Sequence, residues 1–286
     1  MRQISTLSEW RAATEDIRQS GQRVGVIPTM GALHEGHCSL IQRAIDDGTT
    51  PCVTIFVNPR QFNDEVDLHA YPQPLDDDLA RCREWGVAYV LTPTIQEMWP
   101  SYPQATATTV QVAGVTEEFE GAGRPGHFDG VASVVTKLFV VTGPSTAYFG
   151  EKDFQQLAMV RRLVLDMGFD IDIVGCPIVR DDKGLALSSR NARLSPTGRT
   201  AALAISRALK WAADRPRTVD EIDHHVRAAL IQTGIDVAYV AVVNQETLQT
   251  DIVDGSARVL VAGIVEGVRL LDNAPVVIRK DDTTCC

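Results

Sequence analysis

Positive charge is scarce in this chain of 286 residues: 27 Lys and Arg stand against 37 Asp and Glu, for a formal net charge of −10 at pH 7 and a pI near 5.1. A nucleic-acid partner is disfavoured, because binding to a phosphate backbone shows as clustered Lys and Arg. The six cysteines, at 38, 52, 82, 176, 285 and 286, form neither a C-x-x-C pair nor a regular framework. That pattern argues against zinc ribbons and disulfide scaffolds and for reduced thiols, with Cys285 and Cys286 expected in a mobile tail. No apolar run approaches the ~18 residues of a membrane span. The opening MRQISTLSEWRAATEDIR is polar and helix-like rather than a signal peptide, so no membrane partner is expected and the expected location is cytoplasmic. Two familiar nucleotide loops, G-x-x-x-x-G-K-[ST] and G-x-G-x-x-G, are also missing.

What is present is the composition of a soluble globular protein, 44% hydrophobic with a mean hydropathy of −0.04. The length predicts one large and one smaller unit. Strand-like runs at 24–27, 51–57, 87–91, 147–149 and 171–174 alternate with helical patterns at 37–45, 75–85, 131–141 and 154–167. Such alternation predicts an α/β, doubly wound (Rossmann-like) parallel sheet over residues 1–176. From 177 to 286 helical stretches at 196–213 and 219–233 precede strand-like runs at 237–243, 258–264 and 268–271. A smaller α+β C-terminal domain is expected there.

The richest stretch is VGVIPTMGALHEGHCSL, residues 24–40, where a buried strand runs through a turn over 28–36 into a helix expected from His37 onward. A helix N-terminus presents free N–H groups and the positive end of its dipole, which suit phosphate. Gly31 and Gly36 admit close approach of the backbone, and His34 and His37 have ring N–H groups to donate. The same His pair is a candidate metal site, although no convincing third ligand accompanies it. In FVNPRQF (56–62), Asn58 and Gln61 stand where a strand's carboxyl end would offer amides to a polar substrate, or where an ordinary Asn-Pro turn would fall. In YFGEKDFQQL (148–157), Lys152 sits at a helix N-terminus, where the dipole favours anions; a nucleotide phosphate, or pairing with Glu151 or Asp153, would offset it. GLALSSRN (184–191) is either a solvated loop or one that closes on a triphosphate with Ser188, Ser189 and Arg190. Arg124 and His127 of GRPGHFDG (123–130) are either anion contacts or surface groups.

The H-x-G-H element resembles the signature of the adenylyl-transferring superfamily that includes class I aminoacyl-tRNA synthetases and small nucleotidylyltransferases. PTMGALHEGH, FVNPRQF, RPGHFDGV, FGEKDFQQL and GLALSSRN, in this order, closely resemble the pantothenate synthetase (pantoate:β-alanine ligase) family, strongly over about residues 20–200. The resemblance implies condensation of (R)-pantoate with β-alanine, with ATP as substrate, Mg²⁺ bound on the ATP phosphates, and a pantoyl adenylate intermediate. It implies that Met30, Gly31, His34, Gly36 and His37 bind ATP, His34 and His37 at the phosphates, with His37 the candidate proton donor. Gly150, Lys152 and Asp153 match a second ATP stretch, the lysine reaching phosphate and the aspartate ribose. Val179 matches a backbone contact to adenine, and Leu187, Ser188, Ser189 and Arg190 match the mobile phosphate-binding loop. Gln61 and Gln156 match the pair that holds pantoate, with Asn58 beside them. Methionine is usual where Leu187 stands. His37, His34, Lys152 and Arg190 are the expected catalytic set, the protein ligands of any metal are not identified, and a homodimer is implied. The rival readings are a nucleotidylyltransferase of the same superfamily, which would need a basic acceptor pocket, and a non-catalytic nucleotide-binding module.

Overall fold

The computed structural model describes residues 1–252 and 255–279; Cys285 and Cys286 lie outside the described residues. The chain divides into two compact units, one of 1–151 with 155–177, the other of 152–154 with 178 onward. In the first, the elements run β1 (Arg2–Ile4), α1 (Leu7–Gln19), β2 (Val24–Thr29), α2 (Glu35–Asp46), β3 (Thr50–Ile55), α3 (Glu65–His69), α4 (Leu75–Glu84) and β4 (Tyr89–Leu91). They continue as α5 (Ile95–Met98), α6 (Glu120–Gly123), α7 (His127–Thr142), β5 (Ser145–Gly150), α8 (Phe154–Met167) and β6 (Ile171–Cys176).

The six strands form one parallel sheet in the order β1-β4-β3-β2-β5-β6. The chain winds outward from β2 in one direction through β3 and β4, and in the other through β5 and β6, so the expected doubly wound sheet is present. The short edge strand β1 was not expected, because Arg2–Ile4 is three residues of mixed polarity with only Ile4 buried. It pairs with β4 from Arg2↔Tyr89 to Ile4↔Leu91.

Register decides where the sheet opens. β2 pairs with β3 along its whole length, up to Thr29↔Ile55, but with β5 only at Gly25↔Thr146 and Val26↔Ala147. Past Val26 the two strands part, and Pro28, with no N–H to donate, sits in the parted stretch. The reversal of strand order lies between β2 and β5, which is where an open α/β sheet offers a crevice at its carboxyl ends. Below it, Ile27, Leu40, Ile41, Val53, Val90 and Tyr148 fill a core that fixes α2 against the sheet. The period of α2 buries Leu40, Ile41 and Ala44, while Ile45 is 39% exposed.

The second unit holds α9 (Pro196–Ala213), α10 (Val219–Gln232) and an antiparallel sheet of β7 (Asp236–Asn244), β8 (Gly255–Val265) and β9 (Val268–Ile278), in the order β7-β8-β9. β9 runs on past the expected end at 271, through Asp272, Asn273 and Pro275 to Ile278. Pro275 stands opposite Arg258 in the register, and β9 is an outer strand, where a missing N–H is tolerated. Leu203, Leu209, Ile222, Val226, Val259 and Val261 are among the core residues of this unit.

Candidate active site

In the first unit, the loop after β2 and the start of α2 form the first half of the site. Helix α2 begins at Glu35, two residues earlier than expected, because His34 caps it: His34 Nδ1 accepts from Gly36 N–H at 3.1 Å. His37 Nδ1 in turn accepts from His34 N–H at 3.2 Å, closing a capping box made of two imidazoles with ring centroids 4.2 Å apart. A backbone N–H is only a donor, so each Nδ1 must present its lone pair, and in the neutral ring the proton sits on Nε2. Both histidines are thus held as Nε2–H donors at a helix N-terminus. Gly36 lies inside the first helical turn, so of the two glycines only Gly31, at φ 81°, needs the left-handed region.

A residue that motif reasoning missed sets this loop. Asp78, the last of three consecutive aspartates in the first turn of α4, is 1% exposed. Its two carboxylate oxygens accept from Ala32 N–H at 2.8 Å and Leu33 N–H at 2.7 Å. Any Cβ on Gly31 would stand 2.8 Å from Asp78 Oδ2. Burial pushes the Asp78 carboxyl above its ordinary range, while the Leu33 and Ala32 N–H groups pull it back. No sequence motif announces Asp78, since its neighbours Asp76 and Asp77 share the same chemistry without the contact.

The second half of the site follows β3. Asn58, expected to face substrate, is 1% exposed with its amide engaged on every side. Its Nδ2 donates to Gln61 Oε1 and to Gly130 O, both at 3.1 Å, and its Oδ1 accepts from Trp99 Nε1 at 3.0 Å and Arg60 N–H at 3.3 Å. Asn58 therefore positions rather than binds. With Gln61 Oε1 occupied, that side chain presents Nε2, which lies 2.8 Å from Met30 Sδ. Asn58 thus sets the orientation of the Gln61 amide, with Oε1 toward Asn58 and Nε2 donating to Met30 Sδ.

The remaining first-unit residues sort in the same way. His127, read as an anion contact or surface group, is 7% exposed at the start of α7. Its Nε2 faces Arg124 Nη1 at 3.1 Å, which can only donate, so Nδ1 carries the proton and donates to Gln61 O at 2.8 Å. Gly130 explains how closely α7 abuts this turn: a Cβ there would be 2.2 Å from Arg60 O and 2.7 Å from Gln61 Cα. Of the adjacent glutamines on α8, Gln155 is a buried clamp, accepting from Glu120 N–H and donating to Val115 O and Glu118 O. Gln156 is half-buried in the same turn.

The second unit holds the other expected residues. Lys152 and Asp153 lie in a 3₁₀ turn, Glu151–Asp153, that leads from Gly150 into α8. Lys152 Nζ donates to Asp153 Oδ1 at 3.3 Å, so the pairing weighed as an alternative does form. An exposed carboxylate neighbour contributes little and leaves the lysine competent for a stronger anion. Val179 O accepts from Leu187 N–H at 2.9 Å, closing a tight hairpin. Ser188 then caps a second 3₁₀ turn, Ser189–Arg193, with its Oγ accepting from Arg190 N–H at 3.3 Å. The 184–191 segment, expected as a solvated or closing loop, is held here in a hydrogen-bonded hairpin and a capped turn. Among the described residues, no group of three His, Cys, Asp or Glu is placed to hold a metal ion, and no helix is long and apolar enough to cross a membrane.

The family model for pantoate-beta-alanine ligase matches residues 2–275. The chain belongs to the pantoate-beta-alanine ligase family. A pantothenate synthetase of Cereibacter sphaeroides is 48% identical over 278 residues, covering 96% of this chain and 99% of that protein. A pantothenate synthetase structure from Thermus thermophilus superposes with a TM-score of 0.87 at 45% identity, covering 96% of this chain and 99% of its own. A Francisella tularensis pantoate-beta-alanine ligase, solved in complex with beta-gamma ATP and beta-alanine, gives 0.80 at 32% identity, covering 96% and 97%. As a member of this ligase family the chain is an enzyme of pantothenate synthesis, and both its parallel sheet and its small antiparallel sheet are those of the family. The nucleotidylyltransferase and non-catalytic readings are set aside by the match along its whole length.

Proposed function

We propose that this chain condenses (R)-pantoate with β-alanine in two steps that both use its own fixed donors. A pantoate carboxylate oxygen attacks the α-phosphorus of ATP, the bond to the β-phosphate oxygen breaks, and pyrophosphate leaves, giving pantoyl adenylate. The neutral amine of β-alanine then attacks the acyl carbon, the bond to the AMP oxygen breaks, and the nitrogen of the new amide gives up one proton to solvent as AMP leaves. No protein nucleophile is needed, so rate enhancement comes from alignment and from donors set where negative charge grows.

The observation that carries this reading is the pair of Nε2–H imidazoles on a helix N-terminus, at the sheet's strand-order reversal, in a loop whose Met30 accepts from the oriented Gln61 amide. His34 and His37 donate hydrogen bonds from Nε2 to phosphate oxygens alongside the Met30–Gly36 backbone, so the part proposed for His37 as a donor is to hold and neutralise phosphate charge. Gln61 and Gln156 hold the carboxylate and hydroxyls of pantoate, and Asn58 keeps Gln61 turned toward them. Gly150, Lys152 and Asp153 bind phosphate and ribose, Val179 binds adenine through its backbone, and Leu187 belongs to the loop on which Ser188, Ser189 and Arg190 bind the triphosphate oxygens, Arg190 countering charge on the leaving pyrophosphate. A Mg²⁺ held by the phosphate oxygens, which needs no cluster of protein carboxylates, would supply further charge neutralisation there. A homodimer and a cytoplasmic location rest on family resemblance, the latter also on four free thiols, Cys38, Cys52, Cys82 and Cys176.

The test is AMP release from ATP with each acceptor omitted in turn. AMP should accumulate catalytically only with both pantoate and β-alanine, while labelled pyrophosphate should exchange into ATP with pantoate alone. Exchange that required β-alanine would sink the two-step order.

A further inference from the structure

The antiparallel sheet of the second unit has a polar inclusion that its stability does not require. Arg258 on β8 and Asp272 and Asn273 on β9 are 5%, 5% and 2% exposed, within a core otherwise made of residues such as Val259, Val261, Leu270 and Val276. Buried charges and amides contribute less to stability than apolar side chains of equal volume, so their geometry is where a function should be sought.

That geometry points to the two segments assigned to nucleotide. Asn273 Nδ2 donates to Lys152 O at 2.9 Å, and Asn273 Oδ1 accepts from Arg258 Nη1 at 2.5 Å. The Arg258 guanidinium also lies 3.9 Å over the Phe154 ring, two residues from Lys152. Asp272 takes Arg180 through both guanidinium nitrogens, at 2.6 and 2.9 Å, and Arg180 Nη1 reaches Gly184 O at 3.2 Å. Arg180 and Gly184 belong to the hairpin that delivers Leu187, Ser188, Ser189 and Arg190. Asn273 N–H donates to Asp272 Oδ1 at 2.8 Å, joining the two anchors. This explains why residues 152–154 belong to the second unit although the chain on either side belongs to the first.

We infer that Asp272 and Asn273 are positioning residues for adenylation, setting the Lys152 segment and the 179–190 hairpin as one body. The inference rests on the phosphate role proposed for Lys152. Asn273→Asp isolates it: the new carboxylate still accepts from Arg258, which keeps the sheet intact, but it cannot donate to Lys152 O and repels it. In the full-length enzyme, pyrophosphate exchange with pantoate should fall on the order of tenfold or more, the scale of misplacing a preorganised charge. Aminolysis of chemically prepared pantoyl adenylate by β-alanine, which keeps the ribose and α-phosphate but expels no pyrophosphate, should fall clearly less than the exchange does. In a Lys152→Ala background the Asn273 change should add almost nothing, because the two act as a unit. Equal loss in both half-reactions, unchanged exchange, or full additivity with Lys152→Ala would each overturn the inference. If Lys152→Ala impairs exchange and Asn273→Asp does not, only the positioning dyad falls. If Lys152→Ala leaves exchange intact, the lysine's own role falls and takes the dyad with it.

Discussion

Replacing Asn58 by Asp tests whether Gln61 is held as a donor by its neighbour. The change keeps volume and keeps an oxygen for Trp99 Nε1 and Arg60 N–H. It deletes the donor to Gln61 Oε1 and to Gly130 O. Gln61 then has reason to turn over, giving Nε2 to the new carboxylate and leaving Oε1 toward pantoate. The substrate carboxylate loses a hydrogen bond from a fixed donor and meets an oxygen in its place. A hydrogen bond to a charged group and the penalty of leaving its partner unsatisfied together amount to about 2 to 4 kcal/mol. At 1.4 kcal/mol per factor of ten, that is roughly 30- to 1,000-fold in kcat/KM for pantoate. The KM for ATP should change by no more than about threefold, since the perturbed interaction is made to the acid alone. Steady-state kinetics with each substrate varied separate the two, and a thermal melt checks that the protein is folded. In a Gln61→Ala background, Asn58→Asp should cost little more, because the amide it orients is gone. Wild-type kcat/KM for pantoate in a folded Asn58→Asp enzyme would refute the relay.

Lys152→Ala should lower kcat on the order of 10² to 10³ with only a modest change in ATP affinity, and a near-normal kcat would leave Lys152 a lysine paired with Asp153 and nothing more. Gly130→Ala drives a methyl into Arg60 O and Gln61 Cα, so stability should fall by about 1 to 3 kcal/mol and KM for pantoate should rise, measured by melting and by kinetics on the same preparation. Asp78→Asn removes a titrating group whose pKa burial raises above its ordinary value of 3.8. Between that value and the raised one the folded protein binds the extra proton, so wild-type stability falls as pH rises through this window. In melts taken across pH, the wild-type advantage over Asp78→Asn should therefore shrink from about pH 4 upward, and a pH-independent difference would contradict the assignment. Gln156→Ala should weaken use of pantoate by about 1 to 3 kcal/mol and barely alter ATP binding; parallel loss of both would move Gln156 out of the acid's pocket.

The doubly wound sheet was legible because strands buried on both faces are long apolar runs separated by helical periods. Strand β1 was not, since three residues paired on one side at an edge carry no period to read. The histidine pair was visible as a spacing, but the capping box that fixes its tautomers moved the helix start back by two residues, which spacing alone does not reveal. Asn58, Gln61 and His127 share chemistry that suits either a ligand or a neighbour, and since all three are buried only their hydrogen-bond partners distinguish them: Asn58 and His127 both bond to Gln61. Asp78 was hidden among three aspartates, and Asn273 in a strand tail that Pro275 made look like a loop.

The contact from Asp78 to the backbone of Ala32 and Leu33 bears on how this signature could be borrowed. The PTMGALHEGH stretch is not self-contained, because two of its peptide groups are oriented by an acid more than forty positions downstream on another helix. Transplanted into a different α/β scaffold without that acid, the ten residues would keep their letters and lose their shape. A designer would have to import the first turn of α4 together with the loop, and anyone scanning genomes for the motif would do better to ask for the aspartate as well.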